Sequence, residues 1–193
     1  RNPLRYARRI LVIGLVAQLP FMLMPRASDA LLLNVCFTLA AGLAWGTWLR
    51  ELLARYRTGD LESRWFALGI LASLILWTLL GAWVEYGHEG LLLMPLLMLA
   101  MHHLNQAGEA LAERLAAAAL ALPVLLVAGQ MNATDMAKSF TVATCVVALW
   151  LAAGVHRLAP TVPRAMPRRL WLAWYPGHFA LIALWLLLTG GLG

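Results

Sequence analysis

Seven runs of almost unbroken apolar residues, at 10–24, 31–49, 65–84, 91–104, 115–129, 140–155 and 171–188, dominate the sequence. No soluble core of this size can hide them. Of 193 residues, 62% are hydrophobic and only 12% charged, with a mean hydropathy of +0.75, so lipid is the expected solvent. Leu and Ala dominate the runs, without the strict alternation of a membrane barrel, and helices alone satisfy their own backbone groups in hydrocarbon. The expected fold is therefore all-α: one polytopic membrane bundle of about seven spans, with no soluble domain. Several runs fall short of the ~20 residues that cross a ~30 Å layer, which suggests a locally thinned, protein-lined region. The run 115–129, Ala-rich at its start and carrying Pro123, fits either a span or a buried kinked helix.

The basic residues give this count a direction. Arg1, Arg5, Arg8 and Arg9 precede the first run; Arg50, Arg55, Arg57 and Arg64 follow the second; Arg114 follows the fourth; and Arg157, Arg164, Arg168 and Arg169 follow the sixth. With seven spans all of these fall on one face, leaving Arg26 and Lys138 on the other. Positive loops stay in the cytoplasm, so the expected location is a bacterial inner membrane, with the C-terminus periplasmic. The net charge of +6 is thus explained by topology, and nucleic acid is not expected as a partner. Cys36 and Cys145 lie inside apolar runs without CxxC or Cys/His spacing and are expected to be packing thiols. There is no GxSxG elbow, P-loop or dinucleotide fingerprint. The sequence opens at Arg1 without a methionine or a signal-peptide layout, and an N-terminal membrane segment is expected to be missing.

Polar groups within or beside such runs are functional candidates, because each is costly in lipid unless paired or hydrated. The segment Trp174-Tyr175-Pro176-Gly177-His178 opens the last run, and its Pro-Gly pair is expected to break the helix and free carbonyls beside His178. His178 then reads as a general base or as an interfacial histidine bonded to a neighbouring helix. Glu85-Tyr86-Gly87-His88-Glu89-Gly90 forms a turn without Lys or Arg. It suits either proton acceptance and binding of a cationic amine, or simple solvation. Gln18 and Asn34 can orient a substrate carbonyl or bond helix to helix. His102, His103 and Gln106 lack the spacing and the acid of a metal shell, and no metal is expected.

Taken in order, these blocks are similar to the TraX family of conjugative-plasmid membrane proteins, which includes the TrbP proteins. The resemblance rests on Ala17-Gln18-Leu19-Pro20-Phe21, Leu33-Asn34-Val35-Cys36-Phe37-Thr38-Leu39, the Glu85 to Gly90 turn and Trp174 to His178, and spans nearly the whole chain. It implies covalent modification of the pilin subunit of a conjugative pilus: N-terminal acetylation from acetyl-CoA in the TraX manner, or glycerophosphate transfer from phosphatidylglycerol. His178, Asn34, Glu85 and Tyr86 match the family's polar positions. The implied catalytic group is His178, Glu85 and Tyr86, with Asn34, Gln18, Tyr175 and His88 contacting substrate. Family members also carry an upstream Asp-His pair and a Gly-Arg-containing apolar segment, neither of which is present here. The expected partners are pilin and membrane lipids. A non-enzymatic pilin chaperone or scaffold is the rival expectation.

Overall fold

The computed structural model describes residues 2–23, 31–119, 121–155 and 168–189. Among them run eight helices: α1 (Pro3–Met22), α2 (Val35–Arg57), α3 (Ser63–Gly81), α4 (Gly87–Gln106), α5 (Leu111–Ala119), α6 (Leu122–Gln130), α7 (Asp135–Ala153) and α8 (Arg168–Leu188). The only β-type pairing among these residues is a parallel bridge between Leu33 and Val84. Local chemistry sets several helix starts. The Asn2 side chain accepts from the Leu4 and Arg5 amides with Pro3 opening α1, Asn34 caps α2 through the Cys36 amide, and Thr134 caps α7. The run 115–129 departs from a single helix. Pro123 lies in the first turn of α6, where its missing amide is tolerated, and α5 and α6 meet at a bend of 46°.

Close approaches fix how the helices run. Gly14 on α1 lies against Cys36 and Phe37 on α2, while Gln18 reaches back to Leu32 and Asn34, so α1 and α2 are antiparallel. Gly42 and Gly46 of α2 receive Met94 and then Met98 of α4, which makes that pair parallel. A Cβ at Gly42 would sit 2.9 Å from the Leu91 carbonyl oxygen, so glycine there sets the separation of the two axes. Trp45 donates to Ser73, and Tyr56 stacks on Phe66, running α3 against α2. Arg114 on α5 donates to the carbonyls of Ala152 and Ala153 closing α7 and of Leu104 near the end of α4. Tyr175 approaches Cys36, which faces Gly14, and Phe179 one turn later meets Phe21 edge-on at 5.8 Å. Helix α8 therefore runs parallel to α1. Direction alternates along the chain when α5 and α6 are counted together, and the starts of α1, α3, α5 and α8 share one end with the finishes of α2, α4 and α7. Among the described residues, that end holds Arg5, Arg8, Arg9, Arg55, Arg57, Arg64 and Arg114; Arg1, Arg26, Arg157 and Arg164 lie outside them.

The exterior is apolar. Leu68, Leu71, Leu74, Ile75, Leu76 and Leu79 of α3 are all exposed, and only 11% of this helix's most apolar window is buried. A helix apolar on every side is stable only inside a large core or in lipid. Among the described residues two helices, Ser63–Gly81 and Asp135–Ala153, are long and apolar enough to cross a membrane, and the bent α5–α6 pair makes three. Charged and polar residues at the ends of α1, α2 and α4 take those helices below the same measure.

Candidate functional site

The polar residues expected to matter converge where the end of α1, the start of α2 and the α3–α4 turn meet. Residues 31–34 enter as extended chain and pair with 83–85: the Leu33 amide donates to the Trp83 carbonyl and the Glu85 amide to the Leu33 carbonyl, each at 2.8 Å. Asn34, fully buried, locks this junction to α1. Its Nδ2 donates to the Gly14 carbonyl and to Gln18 Oε1, both at 2.9 Å, its own amide donates to Gln18 Oε1, and its Oδ1 accepts the Cys36 amide. Gln18 Nε2 completes the set by donating to the Leu32 carbonyl. Gln18 and Asn34 thus direct their hydrogen bonds into the protein, where they shape the site.

Glu85 stands on this platform. Its Oε2 accepts the Val35 amide at 2.7 Å, at the start of α2, where exposed amides favour an anion. Burial pushes its carboxyl above the ordinary glutamate value, and the Val35 amide offsets only part of that rise. The Thr38 hydroxyl donates to the Glu85 carbonyl at 2.6 Å. Instead of a solvated turn, the structure holds Glu85 half-buried and engaged. Tyr86 follows in the left-handed region at φ 64, a strained conformation for a residue with a Cβ. The Gly90 amide donates to its carbonyl at 2.9 Å, and a Cβ on Gly90 would come within 2.7 Å of Tyr86 Cβ and 2.8 Å of Thr38 Cγ2. Burial, then the Glu85 charge, raises the Tyr86 phenol.

The far wall comes from α8. The Tyr175 hydroxyl is buried without a nitrogen or oxygen partner; the Cys36 thiol lies beside it, and Glu85 and Tyr86 are the other ionisable groups around it. A buried hydroxyl without a partner is rare and points to a group that binds or reacts. Sequence reasoning had given Cys36 only a packing role and had overlooked Thr38. The signal was the presence of three small polar residues, Asn34, Cys36 and Thr38, at a capped helix start, where Cys36 turns to α1 and α8 and Thr38 to the α3–α4 turn.

Two histidines stand apart. His88 turns to α3, where its Nε2 lies 3.1 Å from the Thr78 carbonyl and its ring covers Gly81 and meets Trp77 edge-on at 5.1 Å. It closes the end of α3 and is not brought to Glu85. His178 sits half-buried one turn beyond Trp174, among Trp174, Tyr175 and Phe179. Its Nδ1 lies 2.9 Å from the Trp174 carbonyl, which can only accept, so Nδ1 carries a proton. The expected break at Pro176-Gly177 is absent, because α8 runs continuously from Arg168 to Leu188. One missing amide donor leaves a single carbonyl unpaired, whereas unwinding would expose a whole turn of backbone to apolar surroundings.

Fold and site together define a multi-helix protein that is apolar outside and polar chiefly where helices meet. The family model described as TraX protein matches residues 1–188, and the chain belongs to the TraX family. That membership ties it to pilin modification in conjugation. No curated protein and no solved structure matches it.

Proposed function

We propose that this protein is an inner-membrane transferase that acetylates the N-terminal amine of a conjugative pilin, using acetyl-CoA. The observation that carries the reading is the convergence of half-buried Glu85, exposed Tyr86 and the buried Tyr175 hydroxyl, which brings a carboxylate of raised proton affinity to a hydroxyl without a nitrogen or oxygen partner. Glu85 takes the proton as the amine nitrogen forms its bond to the acetyl carbonyl carbon, and the Tyr175 hydroxyl donates to the oxyanion. The thioester C–S bond then breaks, and CoA leaves as the thiol with the proton that the amine lost. His178, with its ring against Tyr175, is a second proton carrier on the same helix. The seven-span topology, with α5 and α6 as one bent span, is supported by the alternating helix directions and by the gathering of arginines at one end. Glu85 lies at the opposite end, the periplasmic side in this topology, where a processed pilin presents its amine. Helix α8 links the two sides, rising from the basic end to place Tyr175 at the site.

Mass spectrometry of pilin from cells with and without the protein tests the reading. One acetyl group on the pilin N-terminus, lost with Glu85→Gln, is the expected result. Addition of a glycerophosphate would overturn acetylation in favour of a phosphatidylglycerol donor. An unchanged pilin mass would overturn the transferase and leave a chaperone or scaffold.

A further inference from the structure

Away from Glu85, α1 and α8 enclose a surface groove of about 550 Å³ lined only by apolar residues, among them Val16, Leu19 and Pro20 on α1 and Ala173, Gly177 and Ala180 on α8. A Cβ on Gly177 would have nothing within 4 Å, so the groove is open at its narrowest side chain. Continued toward its start at 3.6 residues per turn, the α1 wall reaches arginine: Arg9 and Arg5 lie seven and eleven positions before Val16, about 20° from its face. Arg5 and Arg9 are exposed, no carboxylate pairs with them among the described residues, and neither helix carries an acid in its first turn. Because α1 and α8 are parallel, two helix N-termini add their partial positive charge at the same end.

We infer that this groove is a specific binding site for an anionic phospholipid, with its phosphate at the arginine end and an acyl chain between α1 and α8. The dimensions agree. Arg9 lies ~10 Å along its axis from Val16, the first groove residue of α1, the reach of a head group above its chains. From Ala173 to Leu187 the groove runs ~21 Å, longer than the ~15 Å of one hydrocarbon leaflet. Basic clusters beside clefts between membrane helices select anionic head groups, whereas an apolar groove alone is indifferent to the head group. The inference holds whichever donor the transferase uses.

Its test needs no pilin modification. The full chain is purified in mild detergent, and its retained lipids are compared by mass spectrometry with those of the source membrane. Wild type is expected to be enriched severalfold in phosphatidylglycerol or cardiolipin over phosphatidylethanolamine. Combined Arg5→Gln and Arg9→Gln substitution removes the preference for anionic lipid, and Gly177→Leu, which fills the groove, lowers total retained lipid with an unchanged gel-filtration profile. Wild type carrying lipids in the proportions of the membrane overturns the inference. So does pilin copurifying in place of enriched lipid, which would assign the groove to a protein helix.

Discussion

Replacing Asn34 by Ala should loosen the junction on which the proposed site stands. The change removes the donors to the Gly14 carbonyl and Gln18 Oε1 and the acceptor that caps the Cys36 amide. Three buried bonds at ~1 kcal/mol each in the usual range, or ~0.6 kcal/mol each as measured between membrane helices, give about 2–3 kcal/mol. The polar groups left unpaired in the interior raise this toward ~4 kcal/mol. Asn34→Asp sharpens the test. A cap-only argument makes Asp as good as Asn, but a carboxylate has no proton to give and would face the Gly14 carbonyl and Gln18 Oε1. Asp should therefore destabilise at least as much as Ala. The assay is thermal unfolding in detergent followed by maleimide labelling of Cys36, which is only 6% exposed in the folded protein. Wild-type protection of Cys36 in the Asp variant, or a loss under ~0.5 kcal/mol in the Ala variant, would refute the hydrogen-bond account of Asn34.

Three further outcomes follow from the geometry. Tyr86→Gly should stabilise the fold by about 1 kcal/mol by relieving the left-handed conformation, yet reduce pilin modification; equal or lower thermal stability would show that Tyr86 is not strained. Arg114→Gln should lower stability by about 2 kcal/mol, since three carbonyls near the ends of α4 and α7 lose a charged donor. A melting temperature unchanged from wild type would contradict that role. Glu85 has a raised folded pKa, so its contribution to stability is present in full below the ordinary glutamate range and lost as pH rises through the folded value. Wild type should accordingly lose stability relative to Glu85→Gln as pH climbs through that window, and parallel pH profiles would deny the raised value.

The helices were legible in the sequence because long apolar segments announce themselves through hydropathy, and each of the seven runs overlaps helical structure among the described residues. Arginine placement anticipated the shared end, since helices that alternate in direction bring every second connection to the same side. Pro123 was readable as a kink, but the same residue type at Pro176 was over-read: a proline at a helix start ends one helix and begins another, while one inside α8 removes a single bond. The convergence of Gln18, Asn34, Glu85, Tyr86 and Tyr175 could be named residue by residue but not assembled. Its geometry depends on residues 31–34 pairing with 83–85, a long-range contact of one bridge that no periodicity records. Cys36 and Thr38 were missed for the same reason, because small polar residues in an apolar run look like packing until a neighbour from another helix is in place. His88 misled by proximity in sequence, as the helical turn at Gly87 carries its ring to α3.

The central claim is that Glu85 and Tyr175 perform the transfer at the junction of α1, α2 and α8. Its most direct measurement is the rate of pilin modification by the purified protein in lipid vesicles, comparing wild type with Glu85→Gln and Tyr175→Phe at matched thermal stability. A fall of at least a hundredfold in each variant, in line with the loss of a general base or an oxyanion donor, is the predicted result. Modification at the wild-type rate by both would place the chemistry elsewhere in the molecule.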